Sequence, residues 1–228
     1  MTKMTNDEMT RRFFRFFWLP LYRRWALRHI RRERVFVCAG LRLRVPPGVF
    51  HPGVFFSKPL FVSFLQNVDF QRKNVLDVGT GSGLLALFAA LRGGSVMALD
   101  INPLAVQTAL QNAADNGLAL TAVESDLFDA LPPQVCDVVL INPPYYPRAP
   151  RDAAEHAFFA GEGLAYFEKL FAQLPRYVSP ATKVWMVLSE DCDLRRIEAI
   201  AAQHGFGWAV VFQQKKWGER FFVVEMVG

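Results

Sequence analysis

The run Asn74-Val75-Leu76-Asp77-Val78-Gly79-Thr80-Gly81-Ser82-Gly83 decides how the rest of the chain is read. Val75, Leu76 and Val78 have the apolar, β-branched character of a buried strand, and Leu84-Leu85-Ala86-Leu87 opens a helix on the far side of the glycines. Glycines between a strand and a helix let the backbone turn sharply and let a ligand approach to contact distance. Asp100 ends the next strand-like run, 23 residues after Asp77. A carboxylate there accepts both hydroxyls of a ribose. A lone glycine-rich turn is a weak signal. Flanked by a strand and a helix, and followed by an acid at the second strand's end, it is a strong one.

Working outward, short apolar runs at 75–78, 96–100, 121–124, 138–141 and 184–188 predict strands. Helical stretches at 84–91, 103–116, 164–177 and 194–204 alternate with them. Pro103 suits a first helical position with Asn102 as its cap. Such alternation predicts an α/β fold, a parallel sheet covered on both faces. Strands at 208–212 and 221–227, joined through 213–220 without a helix, must pair antiparallel. Seven strands result, five parallel and then an antiparallel hairpin. Upstream, 7–34 reads as helix with a bend at Pro20, and 34–38 and 41–45 as hairpin strands around Ala39-Gly40. A loop at 46–52 and a helix at 57–67 follow. This divides the chain into an extension with its short hairpin, 1–45, and a main domain, 46–228.

Asn142-Pro143-Pro144-Tyr145 follows the strand Val138-Val139-Leu140-Ile141. An amide oxygen and a nearby backbone carbonyl together accept both hydrogens of one –NH2 group. The prolines hold that geometry open, and a tyrosine ring beside it offers a flat stacking face. The tetrapeptide suits presentation of a planar nitrogen to an electrophile.

Dinucleotide binding competes for the glycine turn, but its fingerprint sets the third glycine five residues after the first. Here the glycines fall at 79, 81 and 83 and position 84 is Leu84. Asp77 before the turn favours an amine-bearing ligand over a pyrophosphate. Asp126-Leu127, at the end of the third strand, suits an adenine amine. From 74 onward the chain resembles the class I S-adenosylmethionine-dependent methyltransferases, with their Rossmann-like fold and terminal antiparallel hairpin. The resemblance implies that Asp77, Gly79, Thr80, Gly81 and Gly83 wrap the methionine part of the cofactor. It puts Asp100 and Ile101 at the ribose, Asp126 and Leu127 at adenine, and Asn142 at the junction with the substrate.

Asn142-Pro143-Pro144-Tyr145 is similar to the motif of amino-methyltransferases that act on planar nitrogens, the protein-glutamine N5 (release-factor) and adenine N6 group. Asn142, Pro143 and Tyr145 are its implied catalytic residues. Hydrogen bonds to Asn142 Oδ1 and the Pro143 carbonyl push electron density onto a delocalised nitrogen and aim its lone pair, without a strong base. The acceptor implied first is a protein glutamine amide, then an exocyclic amine of RNA or DNA, then a small planar metabolite. Ala157-Phe158-Phe159-Ala160-Gly161-Glu162-Gly163-Leu164 resembles a release-factor-type glycine segment with altered spacing. Val49-Phe50-His51-Pro52-Gly53-Val54-Phe55-Phe56-Ser57-Lys58-Pro59 resembles the segment that packs over the cofactor. Lys58 stands where those enzymes carry threonine and receives no catalytic role, and His51 reads as a loop histidine.

Residues 1–44 hold eleven Arg and one Lys against Asp7, Glu8 and Glu33, a net charge of +9, which leaves −4 for the other 184 residues. Arginines interleaved with Phe13, Phe14, Phe16, Phe17 and Trp18 fit an anionic partner, nucleic acid or a membrane surface, or packing on the domain itself. A non-catalytic module binding RNA or lipid through this arm is the rival from another class. Cys38, Cys136 and Cys192 match no metal spacing and read as buried thiols of a reducing compartment. No apolar run is long enough to span a bilayer, and arginines interrupt every candidate signal segment, so the expected location is cytoplasmic.

Overall fold

The structure, a computed structural model, describes residues 32–53, 56–145, 160–216 and 218–227. The helix expected over 7–34 lies outside them up to residue 31. Arg32 and Glu33 are irregular and Arg34 already belongs to a strand.

Chain order gives β1 (Arg34–Cys38), β2 (Leu41–Val45), α1 (Ser57–Leu65), β3 (Asn74–Val78), α2 (Leu84–Leu91), β4 (Ser95–Asp100), α3 (Pro103–Asp115), β5 (Thr121–Glu124) and β6 (Val138–Ile141). After these come α4 (Ala165–Gln173), β7 (Lys183–Ser189), α5 (Leu194–Gln203), β8 (Gly207–Lys216) and β9 (Glu219–Val227). The main sheet has seven strands in the order β5-β4-β3-β6-β7-β9-β8. The first five are parallel and the β8–β9 hairpin is antiparallel. This is the α/β sheet that the strand pattern predicts, parallel over five strands and closed by an antiparallel hairpin.

Alternation along the central strands builds two apolar cores. Val139 and Ile141 of β6, with Met186 and Leu188 of β7, pack against Phe167 and Phe171 of α4 and Ile197 of α5. Val138, Leu140, Trp185 and Val187 point the other way, toward Leu60 and Phe61 of α1 and Leu84 and Leu85 of α2. β6 is buried on both faces, which is why it reads as an unbroken apolar run.

β1 and β2 pair with each other. The outer edge of β2 is closed by α3. Asn116 accepts the Arg42 amide and donates to its carbonyl, and Asn112 does the same for Arg44. Two asparagines one helical turn apart thus imitate a strand edge, while Leu41 and Leu43 enter the second core.

Some boundaries differ from the sequence reading. α1 ends at Leu65. The helix expected over 164–177 is a short 3-10 turn, α4, and a second 3-10 turn that begins at Leu174-Pro175, where proline lacks the amide needed to continue the α-helix. β8 runs through Gln213-Gln214-Lys215-Lys216, expected as loop. It is an exposed edge strand, so polar residues cost it nothing, and a bulge between Val210 and Phe212 accommodates the extra residue. Cys136 and Cys192 are buried as expected, whereas Cys38 is only half-buried.

Candidate active site

The chain enters the sheet at β3, builds outward to β5, then returns to lay β6 on the other side of β3. The strand order therefore reverses between β3 and β6, the place where open α/β sheets bind ligands at their carboxyl ends. Val78 pairs with Ile141, so the glycine turn and Asn142-Pro143-Pro144-Tyr145 leave the sheet side by side. A Cβ added to Gly79 would lie 3.9 Å from the Asn142 carbonyl oxygen. Between them opens a cleft of about 260 Å3 lined by Gly79, Gly81, Asp100, Ile101, Asp126, Leu127, Asn142 and Pro144, among others.

The turn needs its glycines for two reasons. Gly79, Gly81 and Gly83 have φ of 77°, 58° and 89°, in the left-handed region. A side chain at Gly83 would also press to 2.8 Å from Leu87 Cδ1 and 3.2 Å from Ala109, so it sets the close approach of α2 and α3. Leu127, at φ 55°, holds a left-handed turn without being glycine.

Asp100 faces the cleft. Its Oδ2 accepts the Gly81 amide at 2.7 Å and its Oδ1 the Asn102 amide at 2.9 Å. Asp77 sits below the turn, wholly buried, and its Oδ2 accepts the Ala86 amide at 3.2 Å. Its Oδ1 and the Thr80 hydroxyl make no hydrogen bond of good geometry among the described residues, although Thr80 lies near enough to help hold the carboxyl down. Burial pushes the Asp77 carboxyl up, and the neighbouring Lys58 ammonium pulls it back.

Lys58 is the residue that sequence reasoning missed. Its side chain is 1 % exposed, and its Nζ donates to the Thr80 carbonyl at 2.6 Å and to the Gly79 carbonyl at 3.3 Å. Burial lowers its pKa, against the pull of Asp77 and Asp100. The available signal was a single lysine inside the apolar stretch Phe55-Phe56-Ser57-Lys58-Pro59-Leu60-Phe61.

Asp126 and Asp129 share Lys169, each at 2.6 Å. Burial works against the Lys169 charge, but the two carboxylates outweigh it and raise its pKa. Tyr166 also lines the cleft. Burial, then Asp100, Asp126 and Asp77, push its phenol far up, so it stays protonated. At the other wall the Tyr145 hydroxyl lies 3.3 Å from Asn142 Oδ1 and 3.4 Å from the Val187 carbonyl oxygen, with its ring against the core. Pro143 is buried and Pro144 borders the cleft. The segment 146–159 lies outside the described residues, so only Ala160, Gly161 and the residues after them represent the release-factor-like glycine segment. Among the described residues no three His, Cys, Asp or Glu converge as a metal site, and no helix is long and apolar enough to cross a membrane.

These observations test the fit of S-adenosylmethionine. A glycine turn without Cβ atoms, an acid at the end of β4, a second acid beyond β5 and a buried carboxylate beneath the turn form the donor and acceptor set of a nucleoside with an amino-acid tail. Fold and site together define a class I S-adenosylmethionine-dependent methyltransferase. Residues 40–216 match the methyltransferase small domain, and the chain belongs to that family.

Among curated proteins, it is 31 % identical over 156 residues to a putative protein N5-glutamine methyltransferase of Methanocaldococcus jannaschii, a match that covers 66 % of this chain and 77 % of that one. It is 30 % identical over 148 residues to a tRNA1(Val) adenine N6-methyltransferase of Pedobacter heparinus, covering 60 % and 61 %. Among solved structures it resembles a 16S rRNA N2 methyltransferase of T. thermophilus held with AdoMet and guanosine. There the TM-score is 0.64 at 20 % identity, over 86 % of this chain and 50 % of that one. The chain thus spans half to three quarters of the length of these proteins.

Proposed function

We propose that this enzyme methylates a planar sp2 nitrogen, and that its acceptor is a glutamine side-chain amide of a protein. The observation that carries the reading is the placement of Asn142 in the cleft lining, directly beside the glycine turn. Bound S-adenosylmethionine supplies a sulfonium methyl as electrophile. Asn142 Oδ1 and the Pro143 carbonyl accept the two amide hydrogens and orient the nitrogen lone pair toward the cleft. The Tyr145 hydroxyl, its one hydrogen shared between Asn142 Oδ1 and the Val187 carbonyl, restrains rotation of the Asn142 amide. Asp100 takes the ribose hydroxyls, with Ile101 against the sugar. Asp126 and Leu127 form the adenine end, with Lys169 fixing the Asp126 carboxylate. Gly79, Thr80, Gly81 and Gly83 cradle the amino-acid part, and Asp77 supports it from below.

A glutamine acceptor is supported by the likeness to the Methanocaldococcus protein, which spans most of that chain. The second reading, a base amine of RNA, is favoured by the +9 charge of residues 1–44 and by the likeness to the tRNA and rRNA enzymes. Neither reading needs a membrane, and a cytoplasmic location fits both. Incubation of a cell extract with methyl-labelled S-adenosylmethionine, followed by separation of protein, RNA and DNA, decides between them. Label in protein that survives nuclease and yields methylglutamine on digestion supports the glutamine reading, and label lost on ribonuclease treatment overturns it.

A further inference from the structure

We propose that Lys58 is the binding site for the carboxylate of the cofactor's amino-acid tail. The inference rests on the cofactor reading above and adds a residue to it.

Lys58 reaches from α1 to the floor of the cleft. A buried ammonium is costly and persists where its hydrogens and its charge are both answered. Two hydrogens go to the Thr80 and Gly79 carbonyls, and the charge is answered by Asp77 and Asp100. Among the described residues the third hydrogen has no acceptor, and the Phe50 ring centroid lies 5.7 Å from Nζ. Gly81 leaves room beside the ammonium: a Cβ there would come to 3.1 Å from Nζ and 3.6 Å from Phe50 Cβ. The carbonyls it holds belong to the turn that borders the cleft, so the positive charge lies directly beneath the turn. The other charged side chains at this end of the cleft, Asp77 and Asp100, are acids and would repel a carboxylate. Among the described residues that line the cleft, Lys169 is the other cation, and it is committed to Asp126 and Asp129. Among the described residues lining the cleft, Lys58 is therefore the cation open to an anionic tail.

The geometry also sets the orientation of the ligand. Adenine lies toward Asp126 and Leu127, the ribose at Asp100, and the tail runs over Gly81 toward Lys58. The sulfur is left facing Asn142, where the acceptor nitrogen is held.

The test separates this role from mere support of the glycine turn. Calorimetry on the full-length chain compares S-adenosylhomocysteine with its decarboxylated analogue, which keeps the ammonium and lacks the carboxylate. The wild type binds the carboxylate-bearing ligand about tenfold or more tightly, in the range of a charge-assisted hydrogen bond. In Lys58→Met and Lys58→Gln that preference collapses, and Lys58→Arg retains part of it. Equal weakening of both ligands in the variants, or no weakening, overturns the proposal. The wild-type comparison stands even where a variant fails to fold, because an absent preference there overturns it alone. Wild-type protein that binds neither ligand overturns the cofactor reading itself and this proposal with it.

Discussion

The Asp100 carboxylate accepts the Gly81 amide at 2.7 Å, and so the end of β4 is bonded to the tip of the turn that follows β3. One acid both shapes the turn and lines the cleft it encloses. Removing it has two effects in the same direction. Asp100→Ala is expected to weaken S-adenosylmethionine binding about ten- to a hundredfold, the scale of hydrogen bonds to a charged group. Calorimetry measures this directly, and an unchanged affinity would falsify the ribose role.

Asn142→Ala separates binding from chemistry. The side chain lines the cleft and, among the described residues, bonds to no backbone group of the glycine turn. Turnover should fall about a hundred- to a thousandfold, as for loss of one preorganised polar group, while cofactor affinity moves less than about threefold. Tyr145→Phe should give a smaller loss in turnover, because it frees the Asn142 amide to rotate without removing it. Single-turnover rates with the labelled acceptor report both, and full activity in Asn142→Ala sinks the amine-orienting role.

Asn112 is wholly buried and bonds to the Arg44 amide, the Arg44 carbonyl and the Ser82 carbonyl. It ties the β1–β2 hairpin and the glycine turn to α3 at one point. Asn112→Ala leaves these buried groups unpaired and should cost about 2–4 kcal/mol, several groups at the usual penalty each. Urea unfolding followed by circular dichroism checks the figure, and a loss below the error of the fit rejects this account.

Gly83→Ala should destabilise by about 1–3 kcal/mol, from overpacking against Leu87 and Ala109 and from a left-handed φ. The same substitution at Gly218, where φ is also positive but no atom lies within 4 Å, should cost less. Thermal melts of the two variants side by side test the ranking.

Glu225 accepts from Lys183 at 2.7 Å and from the Trp185 indole at 2.9 Å. The Lys183 bond chiefly, against a smaller effect of burial, holds its carboxyl below the usual value of 4.5. Its folded pKa is depressed, so its contribution is present above the unfolded pKa and fades as pH falls through the folded one. Wild type should exceed Glu225→Gln in stability at neutral pH, and the gap should close as the pH drops below that value. Urea midpoints over an acid series measure it, and a gap that stays constant with pH removes Glu225 from the acid response.

The glycine turn, Asp100, Asn142-Pro143-Pro144-Tyr145 and the alternation of strands and helices are legible in the chain because each rests on local rules, whereas the order of the strands in the sheet is not. Apolar runs mark buried strands, only glycine adopts the left-handed turn cheaply, and proline fixes the backbone after β6. The polar half of β8 was not legible, since an edge strand facing water shows no apolar run. The helix expected over 164–177 breaks at Pro175 and at Leu164, whose left-handed φ of 67° no local pattern announces.

The sequence by itself determined the succession of strands and helices and the methyltransferase class they belong to, because backbone preference and burial pattern act over a few residues at a time. Only the tertiary structure decided how the site is held. Lys58 reaches Thr80 across 22 residues, Lys169 reaches Asp126 across 43, and Asn112 reaches Arg44 across 68. The energy of a buried ion or hydrogen bond depends on distance and on the exclusion of water. Those are properties of the packed chain, and no spacing along it encodes them.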